Sequence, residues 1–166
     1  LKEAGMRALV TAGSDEKCER CRAHGADVAI NYRAGEFAAQ VREATGGNGV
    51  NVILDSIGGM YLAGNLECLA IDGRLVIIGL IGGAKADINL AMLLLRRLQV
   101  IGSTLRTRSV ADKAAIVTRF VERFGDALAA GRIKPVIDRV LPLAQAAEAH
   151  RIVQASKHFG KVVLRV

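Results

Sequence analysis

The sequence predicts an α/β protein built on a doubly wound parallel sheet, and three features carry that expectation. Short apolar runs of strand length alternate along the chain with amphipathic segments of helical period. Several runs, such as Val50–Asp55, are nearly continuous rather than alternating, as in strands covered on both faces of a parallel sheet. The runs end in glycine-rich loops: Gly13-Ser14, Gly58-Gly59, Gly79 to Gly83, and Gly102-Ser103. With 166 residues, 51% of them hydrophobic, there is enough apolar material for one sizeable core, and residues 1–166 read as one domain.

The elements follow in order. Leu1–Met6 reads as the end of a helix already under way, and Arg7–Ala12 as a strand. Ser14 is a good N-cap, and Asp15 and Glu16 suit the first turn of the helix that follows, which should stop near Gly25. Asp27–Asn31 is a short strand leading to Tyr32. Glu36–Thr45 places Phe37 and Val41 on one helical face, and Gly46-Gly47-Asn48-Gly49 turns the chain. Val50–Asp55 is a buried strand, followed by a helix with Leu62, Leu66 and Leu69 inward. Arg74–Leu80 is another buried strand, Leu90–Leu95 a short apolar helix or edge segment, and Gln99–Leu105 the next strand. Val110–Ala130 is the longest helix, with Val117, Phe120, Val121, Phe124 and Leu128 on one face and Gly131 closing it. Val136–Val140, Leu143–Ala155 and Lys161–Val166 complete the pattern as strand, helix and strand.

Composition narrows the function. The net charge of +7 raises nucleic acid as a partner, but no Lys/Arg run reaches five and aromatics are only 4%, so nucleic acid is not expected. No apolar run approaches the ~20 residues of a membrane span, and no apolar leader opens the chain, so a cytoplasmic protein off the membrane is expected. The three cysteines define no disulfide framework. Cys18-Glu-Arg-Cys21 falls inside a helix with no second pair at zinc spacing, so no metal site is expected there and the two read as small residues facing a sheet. His150 falls on the packed face of its helix, and His158 lies in a loop placed near the ligand edge. No catalytic constellation is present: there is no Gly-x-Ser-x-Gly elbow, no Walker motif, and no Lys four residues after Tyr32 or Tyr61.

The loops themselves carry the ligand reading. Ligands of open α/β sheets bind at the carboxyl ends of the strands, where glycine lets backbone approach them closely. At the tip of Arg7–Ala12 stand Gly13 and Ser14, with Lys17 one turn later. An acidic side chain there would accept hydrogen bonds from a ribose 2′-hydroxyl; small donors and a cation suit a 2′-phosphate instead.

Ala12-Gly-Ser-Asp-Glu-Lys17, Asn31-Tyr32-Arg33, Val52-Ile-Leu-Asp-Ser-Ile-Gly-Gly59, Asp72-Gly-Arg-Leu-Val-Ile-Ile-Gly79, Gly102-Ser-Thr-Leu-Arg106 and Gly160-Lys-Val-Val-Leu164 together resemble the cofactor half of a quinone oxidoreductase. The family is the zeta-crystallin-like, zinc-free branch of the medium-chain dehydrogenases/reductases, and the likeness is to its tumour-suppressor-inducible type. The resemblance implies an NADP-binding Rossmann-type domain and hydride transfer from NADPH to quinones or α,β-unsaturated carbonyls. It implies 2′-phosphate contacts at Ser14, Lys17 and Tyr32 beside Gly13, and ribose contacts near Ile57. It implies a carboxamide site at Gly79, Leu80 and Ile81, and further contacts at Ser103, Thr104, Leu105 and Lys161. It also implies a homodimer joined through Leu90–Gly102.

Against the family pattern, the first strand of the sheet, with its phosphate-binding glycine loop, and the N-terminal substrate domain are both missing from this chain. Since the first strand is central in such a sheet, the strands at 7–12 and 27–31 are expected to lack a partner joining them to the rest. Two other readings compete: a non-catalytic dinucleotide-sensing domain, and a methyltransferase, which would want an acid where Gly13-Ser14 stands.

Overall fold

The computed structural model describes all 166 residues. They fall into two compact units, Leu1–Lys113 and Ala114–Val166.

The first unit opens with a single turn of 3-10 helix, Lys2–Ala4, ended by Gly5 in the left-handed conformation. Strand β1 (Leu9–Ala12) leads into helix α1 (Asp15–Ala23), then β2 (Val28–Asn31) and α2 (Phe37–Ala44). Strand β3 (Val50–Asp55) is followed by a 3-10 turn and α3 (Leu62–Cys68), then β4 (Leu69–Ile77), α4 (Leu90–Arg96) and β5 (Gln99–Gly102). Every strand pair is parallel, but the strands make separate sheets: β1-β2 and β3-β4-β5. β1 and β3 do not pair, as the absence of a central strand predicts.

Helices nevertheless join the two sheets. Ile30, Ala38, Val41 and Cys68 form one buried cluster, against which Leu9, Val28, Phe37, Val50 and Ile53 pack, so α2 and α3 cover strands of both sheets. Leu66, Leu69 and Leu75 form a second with Ile53, Leu62, Met92 and Leu93. Each leucine fully withdrawn from water contributes about 1.5–3 kcal/mol before entropy is counted, and Leu69 and Leu75 are wholly buried.

Three elements depart from expectation. β3 is not buried on both faces: Ile53 and Asp55 turn inward, whereas Val52 and Leu54 remain 55% and 69% exposed. The clusters that cover this strand both reach it through Ile53, so an apolar run reports the material for burial and not how many faces are covered. β4 begins five residues before Arg74, so Leu69 is a strand residue and not a helical one. The early start is accommodated by a register shift against β3 and by Asp72 in the left-handed conformation. Ser103 N–H still donates across to Ile77 O of β4, but β5 ends at Gly102 and the chain then turns locally, Thr104 Oγ1 accepting from Arg106 N.

Helix α5 (Val110–Ala129) begins in the first unit and continues into the second. The second unit also holds β6 (Ile137–Pro142), α6 (Ala146–Gln154) and β7 (Lys161–Arg165). β6 and β7 pair in parallel as a sheet of their own. The expected inner face of α5 is largely exposed at Val117, Phe120, Val121 and Leu128, and Ala127 is its one buried residue. Periodicity marks a face fit to be covered without naming a cover. His150 is exposed, because a 3-10 turn at Leu143–Gln145 shifts the helical phase and turns Ala149 and Ile152 inward instead. His158 precedes β7 and so lies at the amino end of that strand, in the second unit.

Candidate functional site

Parallel pairing aligns the carboxyl end of β1 with that of β2, and those of β3, β4 and β5 with one another, and the loops and first helical turn beyond them hold all but one of the candidate cofactor residues named from the sequence. Beyond β1, Gly13 leaves room for the ends of two side chains from the neighbouring tip. A Cβ there would stand 2.7 Å from the Tyr32 hydroxyl and 3.5 Å from Arg33 Nε. Ser14 caps α1, its Oγ accepting from Lys17 N at 3.2 Å, which sets Lys17 in the first turn above the strand tip. Asn31 shapes the neighbouring tip: its Oδ1 accepts from Arg33 N at 3.0 Å, and its Nδ2 donates to Asp15 Oδ1 at 2.9 Å. Gly13, Ser14, Tyr32 and Arg33 are therefore brought together, with Lys17 on the adjoining turn. Asp15 and Glu16 offset part of the positive charge, although the Asp15 carboxylate already accepts from Asn31.

The loops beyond β3 and β4 are knitted into one body. Asp55 is buried, its Oδ1 accepting from Ile57 N at 2.8 Å and its Oδ2 from Gly58 N at 2.9 Å. Gly59 N donates to Gly83 O, Met60 N to Gly82 O, Ile81 N to Ser56 O and Gly82 N to Ile57 O, at 2.7–3.2 Å. Glycine is needed where these backbones touch: a Cβ would come within 2.8 Å of Ser56 O at Gly79 and of Gly83 O at Gly58, the latter with φ at +82°. Ile57 is half-buried in this weave, while Leu80 and Ile81 project at 55% and 82% exposure. Two exposed aliphatic side chains beside converging backbone form a rim suited to a flat, partly apolar ring.

Beyond β5, Ser103 is half-buried against the end of β4, and Thr104 and Leu105 are exposed. Lys161 opens β7, in the second unit.

Three residues of the edge were not singled out in the sequence. Asp55 looked like the last residue of a strand; only the structure shows its two oxygens holding the next loop. Arg33 follows Tyr32 in the turn made by Asn31, and an Asx turn there was the available signal. Tyr61 spans the break between the sheets, its ring edge-on to Tyr32 at 6.2 Å and stacked on Phe37 at 4.7 Å. Burial pushes the Tyr61 phenol above its ordinary range, with Tyr32 and then Asp55 adding to the shift, so it is a neutral donor at physiological pH.

Among cysteines, Cys18 is buried and Cys21 half-buried on α1. No group of three or more His, Cys, Asp or Glu side chains is placed to hold a metal ion. No helix is long and apolar enough to cross a membrane.

Comparison with known proteins bears on the family and the fold. Residues 24–164 match the family model described as zinc-binding dehydrogenase. Quinone oxidoreductase-like protein 2 of Bos taurus is 32% identical over 95% of the chain and 45% of its own length. The 2-haloacrylate reductase of a Burkholderia species is 31% identical over 98% of the chain and 49% of its own. The chain thus spans about half the length of the relatives it matches. Among solved structures, Escherichia coli quinone oxidoreductase complexed with NADPH superposes with a TM-score of 0.85 at 28% identity, covering 99% of this chain and 51% of that one. An NAD-dependent alcohol dehydrogenase gives 0.81 at 37% identity, covering 99% and 45%. Parallel strands, glycine-bearing tips and a match over most of the sequence converge: the chain is a partial Rossmann-type domain and belongs to the zinc-binding dehydrogenase family, among relatives that are quinone oxidoreductases of the medium-chain dehydrogenase/reductase type.

Proposed function

We propose that the chain is the cofactor-binding part of an NADPH-dependent quinone oxidoreductase, which transfers hydride to quinones or α,β-unsaturated carbonyls. The observation that carries the reading is the tip of β1. Gly13 and Ser14 stand where a carboxylate would select a free 2′-hydroxyl, and the Tyr32 hydroxyl and Arg33 guanidinium lie over Gly13. Two donors, one of them cationic, suit a phosphate oxygen and leave a hydroxyl poorly served. In this reading Ser14, Lys17 and Tyr32 take the 2′-phosphate, and Ile57 lies against ribose. Backbone at Gly79, Leu80 and Ile81 takes the carboxamide, while Ser103, Thr104, Leu105 and Lys161 give further contacts.

The relatives are about twice as long, so turnover is assigned to a protein in which these residues stand beside a substrate-binding half. The 166-residue chain alone is expected not to reduce quinone. We place the protein in the cytoplasm as a homodimer joined through Leu90–Gly102, where Leu90, Leu94 and Leu95 are exposed and β5 has a free edge. Calorimetric titration with NADPH, NADH and S-adenosylmethionine tests the cofactor assignment. NADPH is expected to bind tightest; NADH binding more tightly than NADPH would overturn it.

A further inference from the structure

We propose that Tyr61 is a positioning residue for 2′-phosphate recognition, holding the Tyr32 hydroxyl over Gly13 from across the break between the two sheets; the proposal rests on the NADPH reading above. Tyr32 follows β2 and is 39% exposed, so its own strand leaves the ring free to swing. No backbone hydrogen bond ties β1 or β2 to β3, so side chains alone can fix the β2 tip relative to the loop after β3. Tyr61, at the end of the 3-10 turn after β3, meets the Tyr32 ring at 6.2 Å with an interplanar angle of 76°. This is the edge-to-face arrangement that aromatic quadrupoles favour.

Tyr61 is itself held from behind. Phe37, the first residue of α2, stacks on it at 4.7 Å and 25°. Phe37 in turn is seated on α3 at Gly64, where a Cβ would come 2.8 Å from its Cζ. Rings from the loop after β2, the 3-10 turn after β3 and the start of α2 therefore contact one another in succession, ending with Tyr32. The hydroxyl's height above Gly13 is fixed by contacts that the phosphate itself never touches.

The probes are adenosine 2′,5′-bisphosphate and adenosine 5′-monophosphate, whose affinity ratio isolates the 2′-phosphate. Calorimetry on the 166-residue chain compares wild type with Tyr61→Leu and Tyr61→Phe. Loss of one edge-to-face pair is expected to lower the ratio roughly three- to tenfold in Tyr61→Leu. The monophosphate affinity should hold, and Tyr61→Phe, which keeps the ring, should retain the wild-type ratio. An unchanged ratio in Tyr61→Leu overturns the proposal, as does equal weakening of both probes, which would mark a merely structural role. A wild-type chain with no preference for the bisphosphate overturns the NADPH reading and this proposal together. A wild-type preference that survives Tyr61→Leu sinks this proposal alone. Should Tyr61→Leu fail to fold, tyrosine-labelled NMR of the wild type decides, since the chain has only 2 tyrosines. Both ring signals should move with the bisphosphate and not with the monophosphate; a stationary Tyr61 overturns the proposal.

Discussion

Replacing Asp55 separates the loop it holds from the strand that carries it. The carboxylate is 4% exposed and accepts two backbone N–H bonds, from Ile57 at 2.8 Å and Gly58 at 2.9 Å. In Asp55→Ala both donors lose their acceptor, and water can reach Ile57 more readily than the buried Gly58. Each abandoned donor costs about 1–3 kcal/mol, so the pair should cost about 3 kcal/mol, discounted from the upper limit for the accessible member. Asp55→Asn keeps the shape and one acceptor oxygen and should cost about 1 kcal/mol, because one donor must now face an NH2 group. For a chain of this size those figures correspond to melting shifts of roughly 6–12 °C and 2–4 °C. Thermal unfolding followed by circular dichroism measures both. The loop is also bonded to residues 79–83, so Asp55→Ala should weaken NADPH more than adenosine 2′,5′-bisphosphate, which lacks the nicotinamide end. If Asp55→Ala and Asp55→Asn unfold within a degree of each other, the carboxylate does not hold this loop and the reasoning fails.

Further outcomes separate the other parts of the structure. Gly13→Ala meets only the end of the Tyr32 side chain, so it should cost under about 1 kcal/mol of stability yet lower the bisphosphate-to-monophosphate affinity ratio. Gly49→Ala, at φ +78° with a Cβ 2.5 Å from the Cys68 carbonyl oxygen, should cost about 2 kcal/mol or more; paired chemical denaturation curves distinguish the two. Burial pushes the Cys68 thiol up to about 11 from 9.0, so it stays protonated in the fold where the unfolded chain ionises. The native state then binds more protons across that window, and stability should fall as pH rises from about 9 toward 11, a slope that Cys68→Ala removes in melts taken across it. Leu94→Asp places a carboxylate at a leucine 78% exposed on α4; sedimentation of the wild type should show a dimer and that of the variant a monomer, while a monomeric wild type refutes the Leu90–Gly102 interface.

What the sequence disclosed depended on whether a feature is written locally. Strand tips were legible because glycine and caps occupy short fixed offsets: Gly13-Ser14 after β1 and Gly58-Gly59 after β3 are where the structure has them. The missing pairing of β1 with β3 was also legible, since strand order is a property of the fold class. Pairing partners farther on were not. β6 and β7 read as two more strands of one sheet, and no residue in Ile137–Pro142 or Lys161–Arg165 announces that they pair only with each other. Arg33, Asp55 and Tyr61 escaped notice for a related reason. Each matters through a residue beyond its own element or through backbone downstream, and a one-dimensional scan assigns an Asp at a strand end or a Tyr before a helix to those local places alone.

The two sides of this edge are stabilised in different ways, and the difference bears on which can change. Beyond β3 and β4 the loops are bound backbone to backbone, and side chains at Gly58, Gly59, Gly79 or Gly82 would drive into carbonyl oxygens or a branched side chain within 2.5–2.8 Å. Backbone cannot retreat without breaking the ladder, so substitution there costs fold and ligand together. Beyond β1 and β2 the groups over Gly13 are the side-chain ends of Tyr32 and Arg33, held by side-chain contacts and not by a backbone ladder. Variation is therefore cheap where the ribose substituent would be read and expensive where the ring would be held. On the NADPH reading proposed above, a site divided in this way would exchange its preference between 2′-phosphate and 2′-hydroxyl through a few side chains while the part proposed to hold the nicotinamide stays in place. An acid introduced at Ser14, together with Arg33→Ala, is accordingly expected to move preference toward NADH without lowering the melting temperature by more than about 3 °C. A variant that unfolds instead, in a thermal melt beside wild type, would show that the β1–β2 tip is as tightly fixed as the loops across from it.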